Sequence, residues 1–390
     1  MLNTNFAPWP SFSEEEAEAV KQVLLSNKVN YWTGQECREF EKEFAAFADC
    51  SHAVALGNGT QALEVALHAV GVGPGDEVIT TPRTFLASAS AIVMLGAKPV
   101  FADVDLNSGN ISADSIEAVL SEKTKAVVVV HLAGFPAELD AIMELSEKRG
   151  FKVIEDCAQA HGARYKGKSV GSIGHIGAWS FCQDKIMSTG GEGGMVTTND
   201  ENLWSSMWSR KDHGKSYDAV YNQEHPPGFR WLHNSFGTNA RMTEMQAAIG
   251  RIQLRRMPDW TAKRQANAAA IAAASKNFDV VRTVEVPADH EHACYKHYLF
   301  VRPEKLAAGW SRDRIVDEIN SRGVPCFQGS CSEVYLEKAF DDTGWRPEPR
   351  LPNAKELGET SLMFLVHPTL ADNEMAKACV VINEVLGLAS

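Results

Sequence analysis

Short apolar runs and longer amphipathic segments alternate along the first half of the chain. Strand-like runs lie at residues 52–56, 77–80, 99–104, 126–131 and 152–154, and segments with helical periodicity separate them. Such alternation is typical of an α/β protein with a mostly parallel sheet and helices on both faces. Because right-handed crossovers place the carboxyl ends of parallel strands at one edge, the loops after these strands are expected to bind a ligand.

The pattern changes in the second half of the chain. Residues 216–234 are polar and aromatic and contain prolines, which predicts a long excursion or loop. A helix is predicted to begin at Thr243 and to be closed by Pro258, since proline cannot donate a helical hydrogen bond. An alanine-rich helix, short strands and further helices follow. We therefore expect a large domain over residues 1–255 and a smaller α+β domain over residues 256–390.

Composition narrows the function classes. The chain has 390 residues, 44% of them hydrophobic, which is enough for more than one core. Its 50 acidic and 38 basic residues give a net charge of −12, which argues against nucleic acid or an anionic membrane as the main partner. The eight cysteines form no Cys-x-x-Cys pair, so neither a metal site nor a disulfide framework is predicted. No signal peptide or membrane-spanning run is visible, and a cytoplasmic protein is predicted.

One lysine is a candidate for covalent chemistry. Lys185 lies five residues beyond Ser180, at a predicted strand end, and a glycine-rich run over residues 190–194 follows it. A lysine amine can form a Schiff base with a carbonyl when a pocket removes its solvent and its charge. The glycines allow the backbone to approach a bound group closely. Most lysines beside glycine loops are solvated, so this segment alone fits either interpretation.

Three further candidate groups lie at the ends of earlier predicted strands. The strand over residues 52–56 runs into Gly57-Asn-Gly-Thr60 and a helix start, an arrangement that binds phosphate, although a plain turn fits equally well. The loop after the second strand presents Phe85. The strand that ends at Asp156 places a carboxylate there, followed by Gln159. A buried carboxylate needs a partner, and a structural ion pair is the alternative to a ligand.

Together these groups match the requirements of pyridoxal phosphate. Its phosphate needs N–H and hydroxyl donors, for which Gly59, Thr60 and Ser180 are the candidates. Its ring needs a flat stacking face, such as Phe85, or else this side chain simply packs in the core. Its pyridine nitrogen needs an anion, such as Asp156, which keeps the ring protonated and makes it an electron sink. Its aldehyde needs a lysine amine.

Several short motifs also occur in a particular order along the chain: Trp32-Thr-Gly34, Gly57-Asn-Gly-Thr-Gln-Ala-Leu63, Gly73-Pro-Gly-Asp-Glu-Val78, Val130-His-Leu-Ala-Gly134, Glu155-Asp-Cys-Ala-Gln-Ala-His-Gly162, Gly191-Glu-Gly-Gly194, His213-Gly214, Asn239-Ala-Arg-Met-Thr-Glu-Met-Gln-Ala-Ala248 and Phe364-Leu-Val-His-Pro368. In number and order they resemble those of the DegT/StrS-type sugar aminotransferases, which depend on pyridoxal phosphate. The resemblance extends from about Phe12 to Gly387 and implies the aspartate-aminotransferase fold for the large domain.

The resemblance also implies a role for each candidate residue. Lys185 would form the Schiff base with the cofactor and act as the general acid and base. Asp156 would pair with the pyridinium nitrogen, and Gln159 would bond the ring oxygen. The complete set of implied cofactor contacts is Gly59, Thr60, Phe85, Asp156, Gln159, Ser180, Lys185 and Asn239.

The same resemblance implies partners and a reaction. Asn239 would reach the phosphate of a neighbouring subunit, so a homodimer with shared active sites is expected. The reaction would transfer an amino group, from L-glutamate, to a keto-sugar in surface-polysaccharide synthesis, including that of lipopolysaccharide. Trp32, Arg83 and Glu192 are the candidates for contacts with the substrate.

The chain departs from the family pattern at positions that bear on the substrate. Arg83 occupies a position where many relatives carry a small or polar residue, and Asn239-Ala-Arg241 lacks a tyrosine that the family has. We hypothesise that Arg83 binds an anionic group of the substrate, with a surface salt bridge as the alternative. A carboxylated sugar such as an 8-oxo octulosonate is thus a candidate beside nucleotide-linked 3- and 4-keto sugars.

Two other functions remain open at this point. Some relatives are dehydratases in which a histidine replaces the lysine, and Lys185 favours transamination instead. A regulatory protein that has lost catalysis is the second alternative, against which the retention of Lys185 and Asp156 argues. His131 and His161 are expected to be structural hydrogen-bonding residues.

Overall fold

The computed structural model describes residues 6–390. Within them the α-helices are α1 (Glu14–Leu25), α2 (Glu36–Phe47), α3 (Gly59–Ala69), α4 (Ala87–Met94), α5 (Ala113–Glu117), α6 (Leu139–Arg149), α7 (Glu201–Lys211), α8 (Tyr217–Tyr221), α9 (Glu244–Ser275), α10 (Arg312–Ser321), α11 (Pro352–Thr360) and α12 (Asp372–Ala389). The strands are β1 (His52–Leu56), β2 (Glu77–Thr80), β3 (Lys98–Phe101), β4 (Thr124–Val130), β5 (Lys152–Asp156), β6 (Arg164–Tyr165), β7 (Lys168–Ser169), β8 (Ile176–Ser180), β9 (Gly194–Thr198), β10 (Val281–Thr283), β11 (His290–Glu291), β12 (His297–Val301), β13 (Cys326–Phe327) and β14 (Ser361–Phe364).

A seven-stranded sheet with the order β1-β9-β8-β5-β4-β2-β3 forms the centre of the large unit. Its strands from β8 to β3 pair in parallel, and β9 alone in this sheet runs antiparallel to both of its neighbours. Residues 126–130 of β4 are all buried, as expected for a strand covered on both faces. The predicted α/β architecture with a mostly parallel sheet is therefore confirmed.

This topology determines where a ligand can bind. Strands β1, β2, β4, β5 and β8 run in the same direction, so their carboxyl ends lie at one edge of the sheet. Three candidate residues lie at or just beyond those ends, because β5 ends at Asp156, β8 ends at Ser180, and α3 begins at Gly59, three residues after β1. Ligands of open α/β sheets bind at this edge.

The C-terminal part of the chain forms a second, smaller layer. Strands β10-β12-β14-β13 make a four-stranded antiparallel sheet, and α10 and α12 pack near it. Its core includes the fully buried side chains of Leu299, Leu362 and Val385. Strand β11 pairs instead with β6 of the large unit, so the two parts are joined by strand pairing as well as by packing.

One sequence prediction about this half of the chain is wrong. Pro258 does not close a helix, because α9 continues through it to Ser275. An internal proline costs about 3 kcal/mol, and the packing of α9 along α1, α2 and α12 outweighs that cost. The predicted domain boundary at residue 255 consequently lies inside α9, which both units share. Within the excursion over residues 216–234, a short helix, α8, forms at Tyr217–Tyr221.

None of the helices in residues 6–390 combines the length with the apolar run that a membrane crossing requires.

Candidate functional site

Lys185 lies in the segment between β8 and β9, at the carboxyl edge of the large sheet. The indole of Trp9 donates a 2.7 Å hydrogen bond to the Lys185 carbonyl. The Lys185 Nζ lies 5.3 Å from the centre of the Tyr295 ring, and its side chain is only 16% exposed. The lysine is therefore fixed by residues from the N-terminal segment and from the smaller unit, and it does not extend into bulk water.

A carboxylate and a phenol lie beside this lysine. Asp184 Oδ1 is 3.5 Å from the Lys185 Nζ, and the Tyr295 hydroxyl donates a 2.5 Å hydrogen bond to Asp184 Oδ2. Burial disfavours the charge of Asp184, but the Lys185 ammonium and the Tyr295 hydroxyl outweigh burial, so the pKa of Asp184 lies below its ordinary value. The sequence analysis missed this contact, because Tyr295 is distant in sequence and its segment shows no motif.

Asp156 is a buried carboxylate, 5% exposed, at the end of β5. Its Oδ1 accepts the Ala158 N–H at 3.1 Å, and its Oδ2 accepts the Ser88 hydroxyl at 2.9 Å. The Ser88 hydroxyl lies in turn 2.9 Å from that of Thr84. Burial raises the pKa of Asp156, while these two donors and the charge of Lys185 act to lower it. A carboxylate in this setting is stabilised by a positively charged partner.

The segment between β1 and α3 can bind an anion. Asn58 caps α3 by accepting the Gln61 N–H at 2.9 Å. The first N–H groups of a helix, here those of Gly59 and Thr60, have no partner within the helix and point toward its N-terminus. A Cβ on Gly59 would lie 2.5 Å from the Ser180 Cβ, so only glycine allows this close approach. A phosphate fits here, since free N–H groups and the helix dipole both favour it.

The remaining predicted cofactor contacts lie in loops. The side chain of Phe85, in the loop after β2, is 72% exposed, so the alternative that it packs in the core is wrong. Gln159 is buried, and its Oε1 accepts the Ala133 N–H at 2.8 Å, which leaves its amide NH₂ group as a donor. Asn239 is exposed, and its backbone forms an isolated bridge with Asp212.

These features fit pyridoxal phosphate. The buried Asp156 suits a ring nitrogen that carries a proton, and the open face of Phe85 suits a flat ring. The uncapped N–H groups at Gly59 suit the phosphate, and Lys185 supplies the amine. The structure brings these groups to one edge of one sheet from four separate parts of the sequence.

A second buried carboxylate holds this edge together from the other face of β5. Glu155 accepts the backbone N–H groups of residues 171, 173 and 174 at 2.6–2.9 Å, and His131 Nε2 lies 2.9 Å from its Oε2. The Ala137 N–H donates to His131 Nδ1 at 3.0 Å, so the expected structural role of His131 is confirmed. Neither ring nitrogen of the buried His161 has a hydrogen-bond partner of good geometry within residues 6–390. Its ring packs against Trp179 and Phe181.

Two of the predicted substrate contacts are accessible. Trp32 is half-buried, its ring is stacked on Tyr221 with a centroid distance of 6.4 Å, and the Lys215 Nζ lies 4.7 Å from it. Glu192 lies in the glycine-rich run and is exposed, with Oε1 4.0 Å from the Cys182 Sγ. Both side chains are available to a ligand.

Arg83 has a different setting. It is fully buried, and its Nη1 donates a 2.6 Å hydrogen bond to the Ser332 hydroxyl. The alternative of a surface salt bridge is therefore wrong. Arg83 lines a cavity to which no predicted cofactor contact contributes, so its position does not support the predicted contact with the sugar.

Comparison with known proteins identifies the enzyme class. The sequence model of the DegT/DnrJ/EryC1/StrS aminotransferase family matches residues 10–383 of the chain. The chain belongs to the DegT/DnrJ/EryC1/StrS aminotransferase family. Aminotransferases of the DegT/DnrJ/EryC1/StrS family use pyridoxal phosphate, so the predictions of family, enzyme class and cofactor are confirmed.

Individual relatives of this DegT/DnrJ/EryC1/StrS family member support the same enzyme class. The spore coat polysaccharide biosynthesis protein SpsC of Bacillus subtilis is 37% identical over 95% of each chain. The UDP-N-acetyl-3-dehydro-alpha-D-glucosamine 3-aminotransferase of Acidithiobacillus ferrooxidans is 32% identical over 99% of this chain and 96% of its own. The crystal structure of an aminotransferase from Psychrobacter cryohalolentis is 64% identical, covers 98% of this chain and 99% of its own, and superposes with a TM-score of 0.96. The predicted aminotransferase fold is thus confirmed, and the chain is a sugar aminotransferase.

Proposed function

We propose that this enzyme transfers the amino group of L-glutamate to a nucleotide-linked keto-sugar, at the 3- or 4-position, in the synthesis of a surface polysaccharide. The observation that carries the proposal is the convergence of Lys185, Asp156 and the Gly59–Ser180 contact at one edge of the sheet. The relative named for a UDP-linked 3-dehydro sugar supports a nucleotide-linked acceptor.

In this proposal the cofactor contacts divide into three groups. The N–H groups of Gly59 and Thr60 and the Ser180 hydroxyl hold the phosphate. Phe85 covers one face of the ring, and Gln159 donates its amide N–H to the ring oxygen. Asp156, kept in place by Ser88 and Ala158, holds a proton on the ring nitrogen.

Pyridoxal phosphate, when bound, supplies an electron sink that stabilises negative charge at the substrate carbon. Lys185 would hold the cofactor through its amine, and the free amine would move a proton between carbon atoms as general acid and base. Asp184 lies beside the Lys185 Nζ and is itself held by the Tyr295 hydroxyl, so the two residues limit where this Nζ can move. Trp9 fixes its backbone, so the amine moves while the main chain stays in place.

We further propose a homodimer in which Asn239 completes the phosphate site of the partner. The exposure of Phe85 and Asn239 supports it, since a subunit packed over this edge would cover both. Exposed aromatic side chains at Phe229, Trp231 and Phe236, between 78% and 94% exposed, supply an apolar surface nearby in sequence to Asn239.

Mixing two inactive variants tests the shared site. Lys185→Ala and Asn239→Ala subunits, combined and allowed to exchange, form mixed dimers in which one site carries both defects and the other carries neither. If sites are shared, random mixing restores about a quarter of wild-type activity. No recovery despite demonstrated exchange would contradict the shared site.

The substrate is tested by direct amination. The purified enzyme with L-glutamate is offered UDP- and dTDP-linked 3-keto and 4-keto sugars and an 8-oxo octulosonate, and the amino-sugar product is measured by mass spectrometry. We expect the nucleotide-linked 3-keto sugar to react with the highest kcat/KM. A preference for the free octulosonate would contradict the proposal that the acceptor is linked to a nucleotide. If glutamate bleaches the cofactor but no sugar is aminated, the proposal that the acceptor is a keto-sugar is wrong. Variants Trp32→Ala and Glu192→Gln should raise KM for the sugar but not for glutamate.

A further inference from the structure

A cavity of about 350 Å³ lies between the large unit and the smaller unit, at the same edge of the large sheet as the proposed cofactor contacts, although none of those contacts lines it. One wall is formed by Leu132 and Phe135 after β4, and another by alanines on one face of α9. The lining is mostly apolar, and Val286 and Phe300 belong to it. A volume of this size is within the range of small-molecule sites.

One full positive charge borders this cavity. Within the described part of the chain, Nε and Nη2 of Arg83 have no hydrogen-bond partner, although both are buried. These two nitrogens lie on the same side of the guanidinium group and form the fork that pairs with two oxygens of one carboxylate. Burial of a cation without an anion is costly, and burial lowers the pKa of Arg83 for this reason. The rings of Tyr298 and Phe300 lie 5.3 and 5.9 Å from its Cζ and offset only part of that cost.

Two histidines add neutral polar groups to the same wall. The Cys294 N–H donates to His292 Nδ1 at 2.8 Å, so the His292 proton is on Nε2 and is available as a donor. His297 Nε2 is buried and has no partner in residues 6–390. Burial lowers the pKa of His292 to about 3 and that of His297 to about 4, so both are neutral at neutral pH. His290 also lines the cavity, but its ring nitrogens lie 3.1 Å from Glu138 and 2.9 Å from Asp289, so Arg83 supplies the positive charge that has no anion beside it.

We propose that this cavity binds a small monocarboxylate with an apolar body, whose two oxygens accept from Nε and Nη2 of Arg83. Among the described residues, the mostly apolar lining includes one arginine, no lysine and one carboxylate, that of the exposed Glu291. This balance favours a monoanion over a phosphate, because a second negative charge would be buried without a partner. The apolar walls accommodate the rest of the acid. This site is separate from the proposed sugar site, and the proposal does not depend on the identity of the sugar.

The position of the cavity gives the bound acid a way to influence the enzyme. Its walls come from both units, so an acid bound there stabilises their packing. Ala133, whose backbone is left-handed with φ of 56°, lines the cavity and donates its N–H to the Gln159 Oε1. The cavity is therefore connected to a proposed cofactor contact by one hydrogen bond.

Binding is measured on the holoenzyme by isothermal titration and by thermal unfolding. Three acids (phenylacetate, 4-methylpentanoate and octanoate) are compared with their neutral amides and with inorganic phosphate. We expect at least one acid to bind at one site per chain and to raise Tm, with its amide binding at least about tenfold more weakly. If none of the acids binds, or if an acid and its amide bind equally, the proposal is wrong. Phosphate that binds more tightly than every acid overturns the choice of a monocarboxylate.

Two substitutions on one helix locate the bound acid. Ala269 and Ala273 are both exposed on α9, but only Ala269 lines the cavity. Ala269→Phe should abolish binding of the acid, and Ala273→Phe should leave it unchanged. Arg83→Met should also abolish binding. If Ala269→Phe and Ala273→Phe bind the acid equally, the acid occupies another site, such as that of the amino donor, and the proposal is overturned.

Discussion

The cofactor edge and the Arg83 cavity both use residues 81–88, the loop after β2 and the first turn of α4, but they support a buried charge differently. At the cofactor edge, Thr84 and Ser88 form a chain of hydroxyl groups that ends on Asp156, and the Ala158 N–H completes the support. In the cavity, the Arg83 guanidinium group donates one hydrogen bond, to the Ser332 hydroxyl, and within residues 6–390 the edge formed by its Nε and Nη2 has no partner.

The Asp156 carboxylate is therefore held in position for a reaction, whereas the Arg83 guanidinium group lacks a partner. A carboxylate with two fixed donors keeps its position when the charge opposite it changes, which a reaction cycle requires. A guanidinium group with an unpaired edge is costly until an anion binds. The following predictions test each side of this comparison, beginning with the largest expected effect.

Lys185→Ala should reduce kcat by at least about a thousandfold, since the general acid and base is removed. The visible absorbance of the bound cofactor should be lost at the same time. Steady-state assays and absorption spectra of the purified protein check both results. Lys166→Ala, at an exposed lysine paired with Asp140, is the control and should behave as wild type. Turnover retained in Lys185→Ala would remove this lysine from its role.

Asp156→Asn keeps the shape of the side chain but removes the charge. We expect kcat to fall by about a hundredfold or more, as is found when a preorganised electrostatic partner is lost. The rate of bleaching by glutamate, measured by stopped-flow absorbance, isolates this step from the sugar reaction. Bleaching at the wild-type rate would show that the carboxylate does not act on the cofactor.

Ser88→Ala removes one hydrogen bond to the Asp156 carboxylate and should reduce kcat about tenfold, with little change in KM. The loss of this donor raises the pKa of Asp156 further, so the pH dependence of the cofactor spectrum should shift toward higher pH. Ser88→Thr should restore both properties. Ser90→Ala, on the same helix, is the control. A spectrum that titrates as in wild type would mean that Ser88 serves packing only.

Arg83→Met should have the smallest effect. The loss of one partner of a buried ion pair lowers the free energy of unfolding, whereas the loss of the unpaired Arg83 cation should not lower it appreciably. With no acid bound, the free energy of unfolding should stay within about 1 kcal/mol of wild type or rise, because a buried unpaired cation is replaced by an apolar group. Ser332 keeps its hydrogen bond to the Ala354 carbonyl, so no new polar group is left alone. Urea unfolding measures this. A loss of several kcal/mol would show that Arg83 is paired within the fold.

The sequence predicted the large sheet well because buried parallel strands such as 126–130 are apolar throughout. It placed Lys185, Asp156 and Gly59 at strand ends, and the topology then brings those ends to one edge. Local signals failed where long-range packing decides the outcome. Pro258 is a helix-ending signal, yet α9 continues because its faces pack against three other helices.

The contacts around the site were harder to predict than its main residues. Ser88 and Tyr295 carry no motif, and only the folded chain brings them to Asp156 and Asp184. Arg83 lies two residues from Phe85, and no pattern in a loop indicates which side chain turns inward. The burial of Arg83 and the exposure of Phe85 are opposite to what their polarity alone predicts.

The central claim is that one amine, that of Lys185, holds the cofactor at the edge where Asp156 lies. Reduction of the holoenzyme with borohydride fixes the cofactor to the amine that carries it, and peptide mass spectrometry then locates the label. We predict a pyridoxyl group on the peptide that contains Lys185 and on no other. A label on a different lysine, such as Lys296 or Lys215, would contradict the account, and so would a cofactor that is released after reduction without attachment to the protein.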